Sequence, residues 1–209
     1  MKLPDPPLLL VTDHRQTRLP LARVVQQALA AGGRWVSLRE KKLRDLEQIV
    51  LATVLKRLTD LAGACLTLHG RTELAVAAGV DGVHLPSGGD ARAARAVFGA
   101  AGLIGISVHS VAEASELDPD LVDYAAAGPA FETASKPGYG PALGVPGIAA
   151  MSRASAVPII AIGGIEAANV AEILDAGASG IAVMGAVMRS SEPENEMKRL
   201  LAALRASRQ

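Results

Sequence analysis

The chain has 209 residues, enough for one domain with a sizeable core. Its 21 basic and 21 acidic residues cancel, leaving no net field to gather nucleic acid, and aromatics at 2% supply no base-stacking platform. No apolar run approaches the roughly 20 residues of a membrane helix, and the opening MKLPDPPLLLVTD lacks the apolar stretch and cleavage pattern of a secretory signal. The lone Cys65 excludes an internal disulfide, which suits a reducing cytoplasm. Within its apolar run it reads as a packing thiol before a nucleophile.

Taken in order, Leu8–Asp13 (LLLVTD) reads as a strand, and residues 19–31 as a helix closed by Gly32-Gly33. Trp35–Glu40 is a second strand ending in charge. Residues 44–61 are helical, with Leu46, Ile49, Val50, Val54 and Leu58 spaced for a single buried face. Strands follow at 64–70, 82–85, 103–109 and 121–128, with helices at 72–78, 90–98 and 111–117 between them. Residues 129–144 form the longest irregular stretch, and a helix over 145–155 leads into PIIAIG, the seventh strand. A helix over 166–176 and the strand GIAVM come next, then a turn of small residues. An amphipathic helix over 193–207 closes the chain.

The strands are short, apolar and rich in branched side chains, as in a parallel sheet buried on both faces. The phrases AAGGRWVSL, AAGVDGVHL and DAGASGIAV each join a helix end, a glycine cap and a new strand. Eight such units with no linker predict a single-domain (β/α)8 TIM barrel over residues 1–209, an open doubly wound sheet being the competitor. The glycines after the last two strands, Gly163-Gly164 and Gly185, let backbone N–H groups of the 163–164 and 184–185 turns approach a phosphate.

In a barrel, chemistry gathers where strands end. Those ends carry Arg39 and Lys41, His69, His84, Ser107 and His109, then Thr133, Ser135 and Lys136 in the long loop. Alternation aims Ser37 with Arg39, and Ser107 with His109, at the barrel interior. His84 lies within its strand and reads as packed before catalytic; for His69 both readings stand. Asp13, Glu40 and Glu132 are carboxylates near the mouth, but no pair or triplet looks like a magnesium site and no His/Cys spacing suggests zinc. Cations beside a glycine cradle predict a small phosphorylated substrate.

With these residues assembled, the chain resembles the thiamine phosphate synthase superfamily from about Leu8 to Met188. The likeness rests on VTD, SLREK, AAGVDGVHL, GISVHS, AGPAFETASKP, IIAIGGI and GIAVM, all in the family's order. The synthase branch joins a pyrimidine diphosphate to a thiazole phosphate carboxylate with magnesium, held by one Asp of NDR and one of HLGQED. Here those motifs read HGR and HLPSGGD, placing Gly70 and Gly89 where the ligands would stand. The other branch is the TenI-like thiazole tautomerase, similar at GR, LPSG, SVHS and FET. The resemblance therefore implies, first, an isomerase that aromatises a thiazole phosphate carboxylate with His109 as proton shuttle and no cofactor. Arg39, Lys41, Ser107, Thr133, Ser135, Lys136, Gly163, Gly164, Met184 and Gly185 would hold the substrate. A synthase with an altered magnesium site, and a non-catalytic thiazole-phosphate-binding regulator, are the alternatives. A homodimer is compatible with such barrels, and no nucleic acid or membrane partner is expected.

Overall fold

The computed structural model describes residues 3–133 and 141–208. Eight parallel strands close into a barrel in sequence order: β1 (Leu8–Val11), β2 (Trp35–Leu38), β3 (Cys65–His69), β4 (Gly82–Leu85), β5 (Leu103–Val108), β6 (Tyr124–Ala127), β7 (Ile159–Ile162) and β8 (Gly180–Val183). Closure is made where β1 pairs with β8, Leu8 beside Ile181 and Leu10 beside Val183. This pairing decides for the barrel over the open sheet.

Two cores follow from the alternation of side chains along each strand. Leu8, Leu10, Leu66, Leu68 and their equivalents face outward and pack under the helices. Leu9, Val11, Trp35, Leu103, Tyr124, Ile160 and Ala182 fill the barrel interior. Trp35 and Tyr124 meet edge to face, with ring centres 4.7 Å apart. A Cβ at Gly105 would run into the Tyr124 ring, so this glycine makes the space the phenol occupies. The same alternation, carried upward from this floor, aims Ser37, His69, His84 and Ser107 toward the mouth.

The helices are α1 (Leu21–Ala30), α2 (Asp45–Leu61), α3 (Thr72–Ala77), α4 (Ala91–Phe98), α5 (Val111–Ser115), α6 (Gly144–Ala154), α7 (Val170–Asp175), α8 (Gly185–Met188) and α9 (Pro193–Ala206). The apolar face expected on α2 is corrected in part: Ile49 and Leu58 pack against the core, but Leu46, Val50 and Val54 are exposed, and Ala52, Leu55 and Thr59 are the buried residues. This helix carries apolar residues on two sides, and the side with Ala52 and Leu55 meets the barrel. The turn expected after β8 is instead the start of α8. Among the described residues no helix is long and apolar enough to cross a membrane.

Candidate active site

One cavity opens at the C-terminal ends of the strands, and most of the residues singled out by sequence line it. On one side are the glycine turns. Gly163 has φ +102° and Gly164 φ +65°, left-handed conformations that favour glycine. A Cβ at Gly163 would stand 2.9 Å from Pro129 Cα, and one at Gly164 2.6 Å from the Glu132 carbonyl oxygen. The glycines thus let the end of β7 lie against the chain leaving β6, where Ala130 N–H donates to the Ile162 carbonyl at 2.8 Å and Phe131 N–H to the Gly163 carbonyl at 3.0 Å. Gly185 and Ala186 open α8, so their N–H groups have no carbonyl one turn back within that helix. Thr133 and Met184 complete this side.

Arg189, which the sequence reading missed, also lines the cavity. Its guanidinium lies so close over Gly185 that any Cβ there would collide with it. Its Nη1 donates to Gln16 Oε1 at 2.5 Å. The signal available in the sequence was a cation one helical turn beyond the second glycine.

The opposite side of the cavity is built by β2 to β5. Arg39 follows β2, its backbone N–H donating to Thr12 Oγ1 at 2.9 Å. Below it, the buried Ser37 hydroxyl faces the cavity and has no hydrogen-bond partner among the described residues. His84 is 3% exposed and bridges two hydroxyls, Tyr124 Oη at 2.9 Å from Nδ1 and Ser107 Oγ at 3.0 Å from Nε2. Burial drives the Tyr124 phenol far above its ordinary range, so it stays protonated. His69 stacks on His84, ring centres 4.7 Å apart and 28° from parallel. The expectation that His84 is a packed residue therefore holds, and it is packed as the support of Ser107 and His69.

His109 lines the same cavity. Its Nδ1 is 2.8 Å from the Gly128 carbonyl oxygen. A carbonyl only accepts, so Nδ1 carries the hydrogen and Nε2 is the acceptor of the neutral ring. The Glu113 carboxylate accepts from the His109 backbone N–H at 2.5 Å and from the Ser87 hydroxyl at 3.0 Å, which fixes the start of the loop.

Lys41 does not line the cavity. Partial desolvation, and secondly the Arg39 guanidinium, pull its ammonium below the usual lysine range. Ser135 and Lys136 lie outside the described residues. Contrary to the sequence reading, three possible metal ligands do come together: Asp13, His14 and Glu40 place one ligand atom each within 4.8 Å of the others. Their donors are already used. Glu40 is 2% exposed and accepts from Thr12 Oγ1 at 2.8 Å, from the His14 backbone N–H at 3.1 Å and from its Nδ1 at 2.5 Å. Asp13 takes the Arg15 N–H at 3.2 Å and the Gln16 amide at 2.9 Å. The group ties β1 to β2 and stands outside the cavity lining.

The family model described as thiamine monophosphate synthase matches residues 8–187. The chain belongs to this family. A Geobacter sulfurreducens protein provisionally named thiamine-phosphate synthase is 40% identical over 199 residues, covering 94% of this chain and 93% of the relative. Thiamine-phosphate synthase of Chlorobium luteolum is 37% identical, covering all of this chain and 98% of its own. The solved thiamine phosphate pyrophosphorylase of Pyrococcus furiosus superimposes with a TM-score of 0.85 at 29% identity, covering 96% of each chain.

These likenesses are to transferases, and they overturn the isomerase assignment. That assignment leaned on the loops after β3 and β4 and on His109. The SxH histidine belongs to both branches of the family, and exposed loops change without changing the barrel that carries them.

Magnesium, which the synthase branch implies, does not fit the residues present. Gly70 stands at φ +128°, a backbone conformation that strains any aspartate side chain. A Cβ at Gly89 would lie 2.8 Å from Leu85 Cβ and 3.0 Å from the Pro86 carbonyl oxygen. Asp90, one position later, caps α4 by accepting from Ala93 N–H at 2.9 Å, and faces the groove between α3 and α4. Among the described residues the cavity's single carboxylate is Glu166, which caps the short turn Ala167–Asn169. Residues 134–140, ASKPGYG, contain none.

Proposed function

We propose that the protein is a transferase of the thiamine-phosphate synthase kind, joining a pyrimidine methyl diphosphate to a thiazole phosphate. The observation that carries this reading is family membership along nearly the whole chain, together with one cavity lined by glycine turns and Arg189 on one side and by Arg39 and Ser107 on the other. A reaction between two phosphorylated substrates has use for a cation on each side; the likeness to transferases, rather than the number of sides, decides against the isomerase, whose one substrate carries both a phosphate and a carboxylate.

In the reaction the carbon–oxygen bond between the pyrimidine methylene and the diphosphate breaks, and its electron pair leaves with the diphosphate. The lone pair of the thiazole nitrogen forms the new carbon–nitrogen bond. The residues serve this by holding two anions side by side and by meeting charge as it develops. The N–H groups of the Gly163-Gly164 and Met184-Gly185 turns hold the thiazole phosphate, with Arg189 neutralising it and Thr133 adding a hydroxyl; the resemblance gives Ser135 the same role. Arg39 and Ser107 face the diphosphate, and the resemblance adds Lys41 and Lys136 as further cations for it. His109, its Nδ1–H given to the Gly128 carbonyl, lines the cavity beside the substrate rings. The lone, poorly ionised Cys65 suits a cytoplasmic setting.

The test is to incubate purified protein with both substrates at saturation and follow thiamine phosphate by chromatography. Coupled product is expected, and Arg39→Ala should lower kcat/KM by roughly a hundredfold, as when one preorganised charge-stabilising donor is removed. No product at saturation would reject the reading.

A further inference from the structure

We propose that this protein holds its diphosphate leaving group without a divalent cation, and that His69 is the side chain that makes the contact. The inference rests on the transferase reading above and adds how the charge of its leaving group is met.

Three observations meet at the β2–β5 side of the cavity. First, the backbone refuses carboxylates there. Gly70 is left-handed, Gly89 has no room for a Cβ, and Asp90 is spent on capping a helix. Of the other acids near this corner, Asp45 is paired with Arg71 at 2.5 Å, and Glu73 lies with Asp90 in the groove between α3 and α4, outside the cavity lining. Magnesium is held by one or two carboxylates beside the substrate phosphates, and among the described residues the cavity's single carboxylate, Glu166, follows β7 on the side of the glycine turns, not on this one. Second, the groups that do face the cavity are hydrogen-bond donors: the Arg39 guanidinium, the Ser37 and Ser107 hydroxyls and the His69 imidazole. Ser37 is 1% exposed with its oxygen unpartnered among the described residues, as a group awaiting a ligand would be. Third, His69 is held in place. It stacks on His84, which is pinned at both nitrogens by Tyr124 and Ser107. A ring fixed in this way meets an anion with little loss of side-chain entropy.

An imidazole N–H and a guanidinium are thus ready where the departing diphosphate gathers negative charge. The contact forms no covalent bond. The electron pair of the breaking carbon–oxygen bond passes to the diphosphate oxygen, and the histidine and arginine donate hydrogen bonds to the anion as it leaves.

The experiment is calorimetric titration of the full-length protein with inorganic diphosphate, once in EDTA and once with excess magnesium, for the wild type and for His69→Asn. Affinity in EDTA is expected to lie within about twofold of that in magnesium. His69→Asn, with an unchanged circular dichroism spectrum, is expected to bind at least tenfold more weakly in EDTA, as loss of a charge-assisted hydrogen bond requires. Wild-type binding that appears only with magnesium overturns the inference and leaves the transferase reading standing. So does a His69→Asn variant that binds as the wild type. If the wild type binds no diphosphate in either buffer, both the inference and the transferase reading fall.

Discussion

Cys65 shows how a single side chain records its surroundings. Burial, and secondly the Asp81 carboxylate, push its thiol from the ordinary 9.0 up to about 12. Reactivity belongs to the thiolate, and three units of pKa reduce its share roughly a thousandfold at pH 8. Native protein should therefore react with a disulfide reagent roughly a thousandfold more slowly than the urea-unfolded chain, measured by release of the coloured thiolate. The linked effect on stability has a definite sign. The native thiol keeps its proton to a higher pH than the unfolded one, so its contribution is complete below about pH 9 and declines as pH rises toward 12. The packing role of Cys65 was legible, because an apolar neighbourhood is visible in the residue order itself. It could not show what Glu40 does. Glu40 stands beside Arg39 and Lys41 and invites a place at the mouth, but its oxygens are consumed by Thr12 and His14, which are 28 and 26 positions away along the chain. Arg189 was hidden for a like reason, since only the folded α8 carries its guanidinium back over Gly185.

Elements were legible where the pattern had one reading. The strands are short apolar runs between helices, and the barrel follows from their number. The α2 face was legible only in part, because the exposed residues at 46, 50 and 54 and the buried ones at 52, 55 and 59 both recur at the three- or four-residue steps of a helix. Periodicity gives the pitch of a helix but leaves its rotation open when both sides carry apolar groups. The strand β5 offers the sharpest test at this scale. Gly105 leaves room for the Tyr124 ring, which in turn holds His84 under Ser107 and His69. Gly105→Ala should destabilise the fold by about 1–3 kcal/mol through overpacking, measured by urea denaturation. It should also lower kcat/KM, because the ring that positions Ser107 and His69 is displaced. A variant with wild-type stability and kinetics would show that Tyr124 moves aside freely and that the column of side chains does not set the site.

Closure of the sheet does not complete the molecule; α9 does. The helix packs on α1, α7 and α8, and buries Pro193, Met197, Leu200, Leu201 and Leu204. Leu201 and Met197 reach the Gly32-Gly33 turn, with Leu201 Cδ1 3.6 Å from where a Gly32 Cβ would stand. Burying one large aliphatic side chain contributes about 1.5–3 kcal/mol. Met197, Leu200, Leu201 and Leu204 together therefore supply on the order of 6–12 kcal/mol. A domain's net stability is itself only about 5–15 kcal/mol, and removing α9 would also expose the apolar side chains beneath it. A chain ending at residue 192 should accordingly fail to fold, although every strand of the barrel and every glycine of the turns after β7 and β8 is retained. Circular dichroism and a thermal melt decide the matter. A soluble truncated chain with a cooperative transition would mean that the barrel core stands alone and that α9 covers it without holding it. The expected loss of the transition would mean that the anion site, built at the strand ends and on α8, depends on a helix that contributes no residue to the cavity lining.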